Sequence, residues 1–255
     1  MTDRLSDTEI ARYARQLILP EIGDEGQEIL RRTKLGIIGA GGLGVPALMM
    51  AAGAGFGTIT IIDDDVVDMT NLNRQFIYGP DDIGKQKAPL AASIAGAQNP
   101  YCDIKAQTQR FDHDNADNLM ADHDIIIDAS DNPQSRILAS RAALRHQTSL
   151  IFVSAIRFEG QLALLAPHIG DEEGACYECL FPAQPEPGDV PNCATVGIAG
   201  PVTMMLGAKA ALEAIKWQTK AGKSLHNQLL LFDALHGESQ IIKARKQPDC
   251  PGCGA

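Results

Sequence analysis

Residues 34–63 read KLGIIGAGGLGVPALMMAAGAGFGTITIID. Leu35, Ile37 and Ile38 make a short apolar strand, and Gly39, Gly41, Gly42 and Gly44 make the turn after it. Residues 45–54, small and apolar, form a helix. Residues 58–62 are a second, β-branched strand, and Asp63 follows at once. A G-x-G-x-x-G turn between strand and helix, with an acid about twenty residues on, is the pattern of a dinucleotide-binding βαβ unit. Glycine permits the sharp turn and lets backbone N–H groups approach a phosphate, while the helix N-terminus adds partial positive charge. Asp63 is placed to accept hydrogen bonds from ribose hydroxyls.

Between residues 35 and 62 there is no charge, so a membrane span competes with this reading. Eight glycines, Pro46 and the strand-like ends oppose it. An NAD-dependent oxidoreductase is the stronger competitor, and on this stretch alone it is the better reading. The rest of the chain decides against it.

With 255 residues the chain can form one large α/β domain, or a domain with a lobe, around a sizeable core. Its formal net charge of −10 argues against a nucleic-acid surface. The first twelve residues are polar and charged and carry no secretory pattern, so the expected location is cytoplasmic, with no membrane attachment.

Ser6 and Glu9 have the spacing of a capping box at the start of a helix that carries Arg12 and Arg15, and Asp24 with Gln27 repeats the pattern. Two short helices therefore precede the first strand. After Asp63, Asp64 and Asp65 comes a polar loop, NLNRQF (71–76), beyond the C-terminal end of a strand, where open α/β sheets bind ligands. Arg74 offers a planar fork of donors to a phosphate. Residues 84–97 read as a helix with Lys85 and Lys87 in its first turn, where cations oppose the helix dipole unless an anion lies nearby. That makes a triphosphate partner for Lys87 a reasonable expectation. Residues 103–110 read as a strand, 115–121 as a short helix and 124–127 as a buried strand with Asp128 and Asp131 past its end. Asp131 can cap the helix that begins at Pro133, and it can hold Mg²⁺ against phosphates. Residues 133–146 form a helix, 149–154 a strand, 161–166 an antiparallel strand and 196–218 a long helix broken at Gly200-Pro201, so the sheet is mixed. The convergence of the glycine turn, Asp63, Arg74, Lys87 and Asp131 favours ATP over NAD, because phosphoryl chemistry needs charge neutralised in the transition state.

Cys176-Tyr-Glu-Cys179 and Cys250-Pro-Gly-Cys253 are two C-x-x-C pairs. Paired thiolates from distant segments make a closed, structural Cys₄ zinc site, which would pin the C-terminal tail to the domain. Neither pair has the strand-to-helix setting of a redox motif. Cys193 stands apart in a loop rich in Pro, Gly and acid (182–195), where a thiol near a nucleotide site could act as a nucleophile.

Taken in order, RYARQ (12–16), GAGGLG (39–44), IIDDD (61–65), NLNRQ (71–75), GKQK (84–87), DASDN (128–132), the C-x-x-C pairs and NCATVGIAGP (192–201) make the chain resemble the ubiquitin-activating superfamily in its bacterial ThiF/MoeB/HesA branch. The resemblance covers nearly the whole chain. It implies one domain, with a helical arm (1–33), a nucleotide-binding half (34–155) and a carrier-binding and zinc half (156–255). The implied fold is a Rossmann-like mixed sheet with flanking helices, two N-terminal helices and a C-terminal Cys₄ zinc lobe. The implied activity is adenylation of the C-terminal Gly-Gly carboxylate of a ubiquitin-like sulfur carrier by ATP, with release of pyrophosphate. By motif, Gly39, Gly41, Gly42 and Gly44 hold the nucleotide and Asp63 its ribose. Asn71, Arg74 and Lys87 hold phosphates, and Asp131, beside Asn132, positions Mg²⁺ as the key catalytic carboxylate. Arg15 resembles an arginine that reaches into a partner subunit's site, which implies a homodimer, and Cys193 matches the superfamily's reactive cysteine.

The triple acid 63–65, the GACYECLFP segment and the LFDA run near Phe232 are closer to ThiF, which serves thiamine thiazole formation, than to MoeB, which serves molybdopterin synthase. Ala234 and Leu235 depart from the family's usual glycine or short polar turn. No rhodanese domain follows, so sulfur would come from a separate donor, such as a cysteine desulfurase or a rhodanese protein.

Overall fold

A computed structural model describes residues 4–169, 174–182 and 193–254. Helices α1 (Asp7–Leu17) and α2 (Gly23–Arg32) precede β1 (Lys34–Ile38), α3 (Gly44–Ala54) and β2 (Thr58–Ile62). A polar loop leads to α4 (Lys87–Gln98), β3 (Asp103–Gln107), α5 (Ala116–Met120), β4 (Ile125–Asp128), α6 (Pro133–His146) and β5 (Ser149–Ile156). The second half holds β6 (Glu159–Leu165), the short α7 (Tyr177–Leu180) and α8 (Cys193–Val196), the long α9 (Gly200–Thr219), β7 (Gln228–Asp233) and β8 (Glu238–Lys243).

The strands form one eight-stranded sheet in the order β3-β2-β1-β4-β5-β6-β7-β8. The first five in that order are parallel, and β6, β7 and β8 are added antiparallel. From β1 the chain steps one way to β2 and β3, then returns to the other side for β4 and β5. The reversal opens a crevice beyond the C-terminal ends of β1 and β4, where doubly wound sheets bind ligands.

Side-chain alternation along the strands builds a core on each face. Ile125, Ile127, Ile37 and Ile61 pack on one side with α3, α4 and α9, while Ile126, Ile62, Leu150 and Phe152 pack on the other with α5, α6 and α7. The α1 capping box forms: Ser6 Oγ accepts the Glu9 N–H at 3.3 Å and Glu9 Oε2 accepts the Ser6 N–H at 2.9 Å.

The structure differs from the expected elements in several places; the long helix expected from residue 196 begins at Gly200, so Gly200-Pro201 is its first turn and not a break, and residues 193–196 belong to the separate α8. The Asp24–Gln27 box does not form, because α2 begins at Gly23 without a side-chain cap. Gln27 is instead fully buried, and with Gln16 it donates to the Ala54 carbonyl at the end of α3. Those carbonyls have no partner within their own helix, so the N-terminal helices serve to hold α3 by its far end. The fourth helix starts at Lys87, not residue 84, because Gly84 (φ 84°) and Lys85 pair with Val67 in a short antiparallel ribbon. The third strand ends at Gln107, short of residue 110.

Candidate active site

Backbone geometry explains the glycine turn. Gly39 has φ 95°, and a Cβ there would sit 2.9 Å from the Ala129 carbonyl oxygen at the end of β4. A side chain on Gly44 would overlap the Gly39 carbonyl. Asp63 closes the turn from β2: its Oδ2 accepts the Ala40 N–H at 2.6 Å and its Oδ1 the Asp65 N–H at 2.8 Å. Burial raises its pKa, while those two N–H groups and Lys87 act against the rise. Each carboxylate oxygen retains lone-pair capacity for a ribose hydroxyl.

The turn opens onto a cleft of about 1110 Å³. Gly39, Gly41, Gly42, Asp63, Asn71, Arg74, Lys87, Asp131 and Asn132 all line it. Gly44 lies behind them at the start of α3. Arg15 does not line it and is exposed in the last turn of α1. Cys193 opens α8, but its side chain and residues 183–192 lie outside the described residues.

The cations are placed by local structure. The ribbon that delays α4 bonds the Lys87 N–H to the Asp65 carbonyl, and Lys87, a residue only 4% exposed, pairs its ammonium with the Asp65 carboxylate at 2.5 Å. Lys85 is drawn off to Asp82 at 2.8 Å and is no part of the cleft wall. Arg74 folds back on its own loop, donating to the Thr70 carbonyl at 2.8 Å and to Asn73 Oδ1 at 3.1 Å.

Beyond β4, Asp128 is buried and its pKa is raised by that burial, against the pull of the Arg136 guanidinium. Asn132 caps α6 by accepting the Ser135 N–H at 2.8 Å. Arg136 donates to the Ser130 carbonyl at 2.9 Å and lies over the Phe152 ring. The exposed Asp131 is therefore held on a loop anchored on both sides. Asn71 Oδ1, Gln75 Oε1, Asp128 Oδ2, Ser130 Oγ and Arg136 Nε are buried without a hydrogen-bond partner. Buried polar atoms are seldom left unpaired, and the four of these whose residues line the cleft, on Asn71, Gln75, Ser130 and Arg136, fit a polar ligand and its water.

Sequence reasoning missed Arg136 and Gln75. Both were findable: Gln75 ends the NLNRQ loop, and Arg136 lies one helical turn after Asn132. The far wall carried no local signal. Glu159, Asp233 and Glu238 line it as cross-strand neighbours on β6, β7 and β8.

Away from the cleft, the ligand atoms of Cys176, Cys179, Cys250 and Cys253 lie within 4.8 Å of one another. The 176–179, 176–250 and 179–253 sulfur pairs are 3.8, 3.5 and 3.4 Å apart. A zinc tetrahedron with bonds of about 2.3 Å has edges near ~3.8 Å, whereas a disulfide needs about 2.05 Å. The four thiols thus fit zinc. Burial raises the Cys176 and Cys253 thiols, while against the same burial the Cys253 and Gly252 N–H groups help lower the Cys250 thiol; a bound zinc ion would take all four as thiolates.

A mixed Rossmann-like sheet with its cleft at the switch point and a Cys₄ cluster near the C-terminus defines a nucleotide-binding α/β protein. The chain belongs to the ThiF family, whose pattern it matches over residues 13–252. It is 40% identical over 252 residues to a sulfur carrier protein adenylyltransferase of Thermus thermophilus, covering 98% of this chain and 93% of that one. It is 39% identical over 254 residues to the SAMP-activating enzyme E1 of Haloferax volcanii, covering 100% and 92%. A probable adenylyltransferase/sulfurtransferase MoeZ of Mycobacterium tuberculosis is 40% identical over 97% of this chain and 63% of its own length. The crystal structure of E. coli MccB superposes with a TM-score of 0.83 at 21% identity, over 100% of this chain and 75% of that one, a likeness of fold.

Proposed function

We propose that this chain is an adenylyltransferase that activates the C-terminal Gly-Gly carboxylate of a ubiquitin-like sulfur carrier, with a ThiS-like carrier of thiazole formation as its partner. The observation that carries the reading is the cleft itself: a glycine turn, a buried lysine and four unpartnered polar atoms converge at the switch point of a ThiF-family fold.

The carrier carboxylate attacks the α-phosphorus of ATP. A carboxylate oxygen–phosphorus bond forms, the bond to the bridging oxygen breaks, and pyrophosphate leaves. Both reactants are anionic, so cations and donors around the phosphates lower the barrier. Glycine-turn N–H groups and Asn71 orient the phosphates, Lys87 leaves Asp65 to meet them, and Arg74 swings off the Thr70 carbonyl to do the same. Asp63 orients the ribose. Asp131 and Asn132 stand where Mg²⁺ would be held, and that ion would neutralise phosphate charge as a Lewis acid. Arg15, exposed on α1, completes the site of a second copy in a homodimer. Cys193 acts after adenylation, and sulfur reaches the carrier from a separate donor protein. In this reading residues 1–33 form the dimer arm, 34–155 the nucleotide half, and 156–255 the carrier and zinc half.

Pyrophosphate–ATP exchange with purified carriers tests the proposal. Exchange that depends on a ThiS-like carrier and is lost in Asp131→Ala is expected. Exchange only with the small subunit of molybdopterin synthase would move the partner to that pathway, and no exchange with any Gly-Gly carrier would overturn the activity.

A further inference from the structure

The zinc cluster and the cleft lie at opposite ends of α6. Tyr177 and Glu178 fill the C-x-x-C gap between Cys176 and Cys179, and both side chains are buried. Glu178 takes a bidentate grip from Arg141, at 2.9 and 2.8 Å. The Tyr177 N–H donates to Ser140 Oγ at 3.2 Å. The Tyr177 ring packs edge-on against Phe152 at 5.1 Å, and the Arg136 guanidinium covers that same Phe152 ring at 5.1 Å. Arg136 in turn holds the Ser130 carbonyl, one residue before Asp131. Arg136 and Ser140 are four apart on α6 and so share a face.

We propose that the Cys₄ centre braces the Asp131 loop through α7 and α6, with Tyr177 and the Glu178–Arg141 pair as positioning residues. The metal fixes the two cysteines that flank Tyr177 and Glu178. Those residues fix the register of α6, and α6 fixes the loop through Arg136 and the Asn132 cap. Loss of zinc therefore loosens a loop at the far end of the helix, through Arg136 and Asn132, although none of the four cysteines lines the cleft. The consequence for nucleotide rests on the reading of the cleft given above.

The experiment compares amide hydrogen exchange across residues 129–136 in full-length holoprotein, in wild type stripped of zinc by a chelator, and in Tyr177→Leu, alongside ATP binding by calorimetry. Stripped wild type and Tyr177→Leu should each exchange about tenfold faster at 129–136 and bind ATP about tenfold more weakly, the change that ~1.4 kcal/mol of lost bracing produces in an equilibrium. Residues 45–54, on the opposite face of the sheet, should be unchanged, and Tyr177→Leu should retain zinc. Unchanged exchange at 129–136 in both samples would overturn the brace, and so would equal acceleration at 45–54, which marks general destabilisation. Should Tyr177→Leu not fold, Arg141→Met takes its place in the same comparison. If unaltered protein binds no ATP, the nucleotide reading falls, and the exchange comparison still decides the brace.

Discussion

Lys87 and Asp65 form an ion pair of unequal burial: the Lys87 side chain is almost wholly enclosed, while the Asp65 side chain is 63% exposed. Each group is brought there by the ribbon between residues 65–67 and 84–87. The Asp65 carboxylate pairs directly with this buried cation, which Asp63 also faces. A bound phosphate takes over that role. Replacing Asp65 with Asn should destabilise the nucleotide-free protein by about 1–2 kcal/mol, less than the loss of a fully enclosed partner, and ATP should restore most of the loss. Thermal melts with and without ATP measure this, and a deficit that persists in saturating ATP would contradict it.

Lys87→Ala removes the cation itself. Carrier-dependent pyrophosphate–ATP exchange should fall by about 10²-fold, a typical loss for one preorganised charge at a reacting phosphate. Circular dichroism should be unchanged. Lys85→Ala, whose ammonium is committed to Asp82, should leave exchange near wild type, and equal losses in the two variants would rule out the distinction.

Arg15 lies outside the cleft of its own chain, so its proposed role requires a second copy. Arg15→Ala and Asp131→Ala should each be inactive alone. Mixed and allowed to re-equilibrate, they should recover about a quarter of wild-type exchange, because half of the dimers are mixed and each of those has one intact site. No recovery in a mixture shown to exchange subunits would remove Arg15 from the partner's site.

Asp128 is buried and its carboxyl pKa is raised above the usual value of 3.8 by that burial. The folded state then holds a proton that the unfolded state has released. Its stabilising contribution is complete below the unfolded pKa and is lost as pH rises through the folded one. Relative to Asp128→Asn, wild type should lose stability as pH climbs from 4 toward neutrality. Urea midpoints across that range test the sign, and parallel profiles would show that Asp128 titrates alike in both states.

The four thiols should carry one zinc per chain. Cys253→Ala should release it and lower the Tm by more than about 5 °C, since metal binding to a folded site adds to folding free energy. Metal analysis with a melting curve is sufficient, and a zinc-free wild type with an unchanged Tm would refute a structural ion.

What could be read from the chain was local chemistry. A turn that needs glycine at Gly39 and Gly44 announces itself because backbone sterics act within a few residues. The Ser6–Glu9 box formed for the same reason, and the C-x-x-C spacings carry their metal geometry within four residues each. The Asp24–Gln27 box had an equally good local pattern and failed, because Gln27 gains more by enclosing the end of α3, and that end is brought to it only by packing. Lys85 and Lys87 look alike in sequence; a ribbon to residues 65–67 sends one to Asp82 and the other into the cleft. The acidic wall of Glu159, Asp233 and Glu238 exists only through the antiparallel register of β6, β7 and β8. The sequence alone determined the nucleotide turn, the four metal thiols and the family they belong to, because each rests on short-range sterics or fixed ligand spacing. Only the tertiary structure decided which cation is buried, which polar atoms lack partners and how α6 joins the zinc cluster to the cleft, because those depend on residues far apart in the chain meeting across a packed sheet.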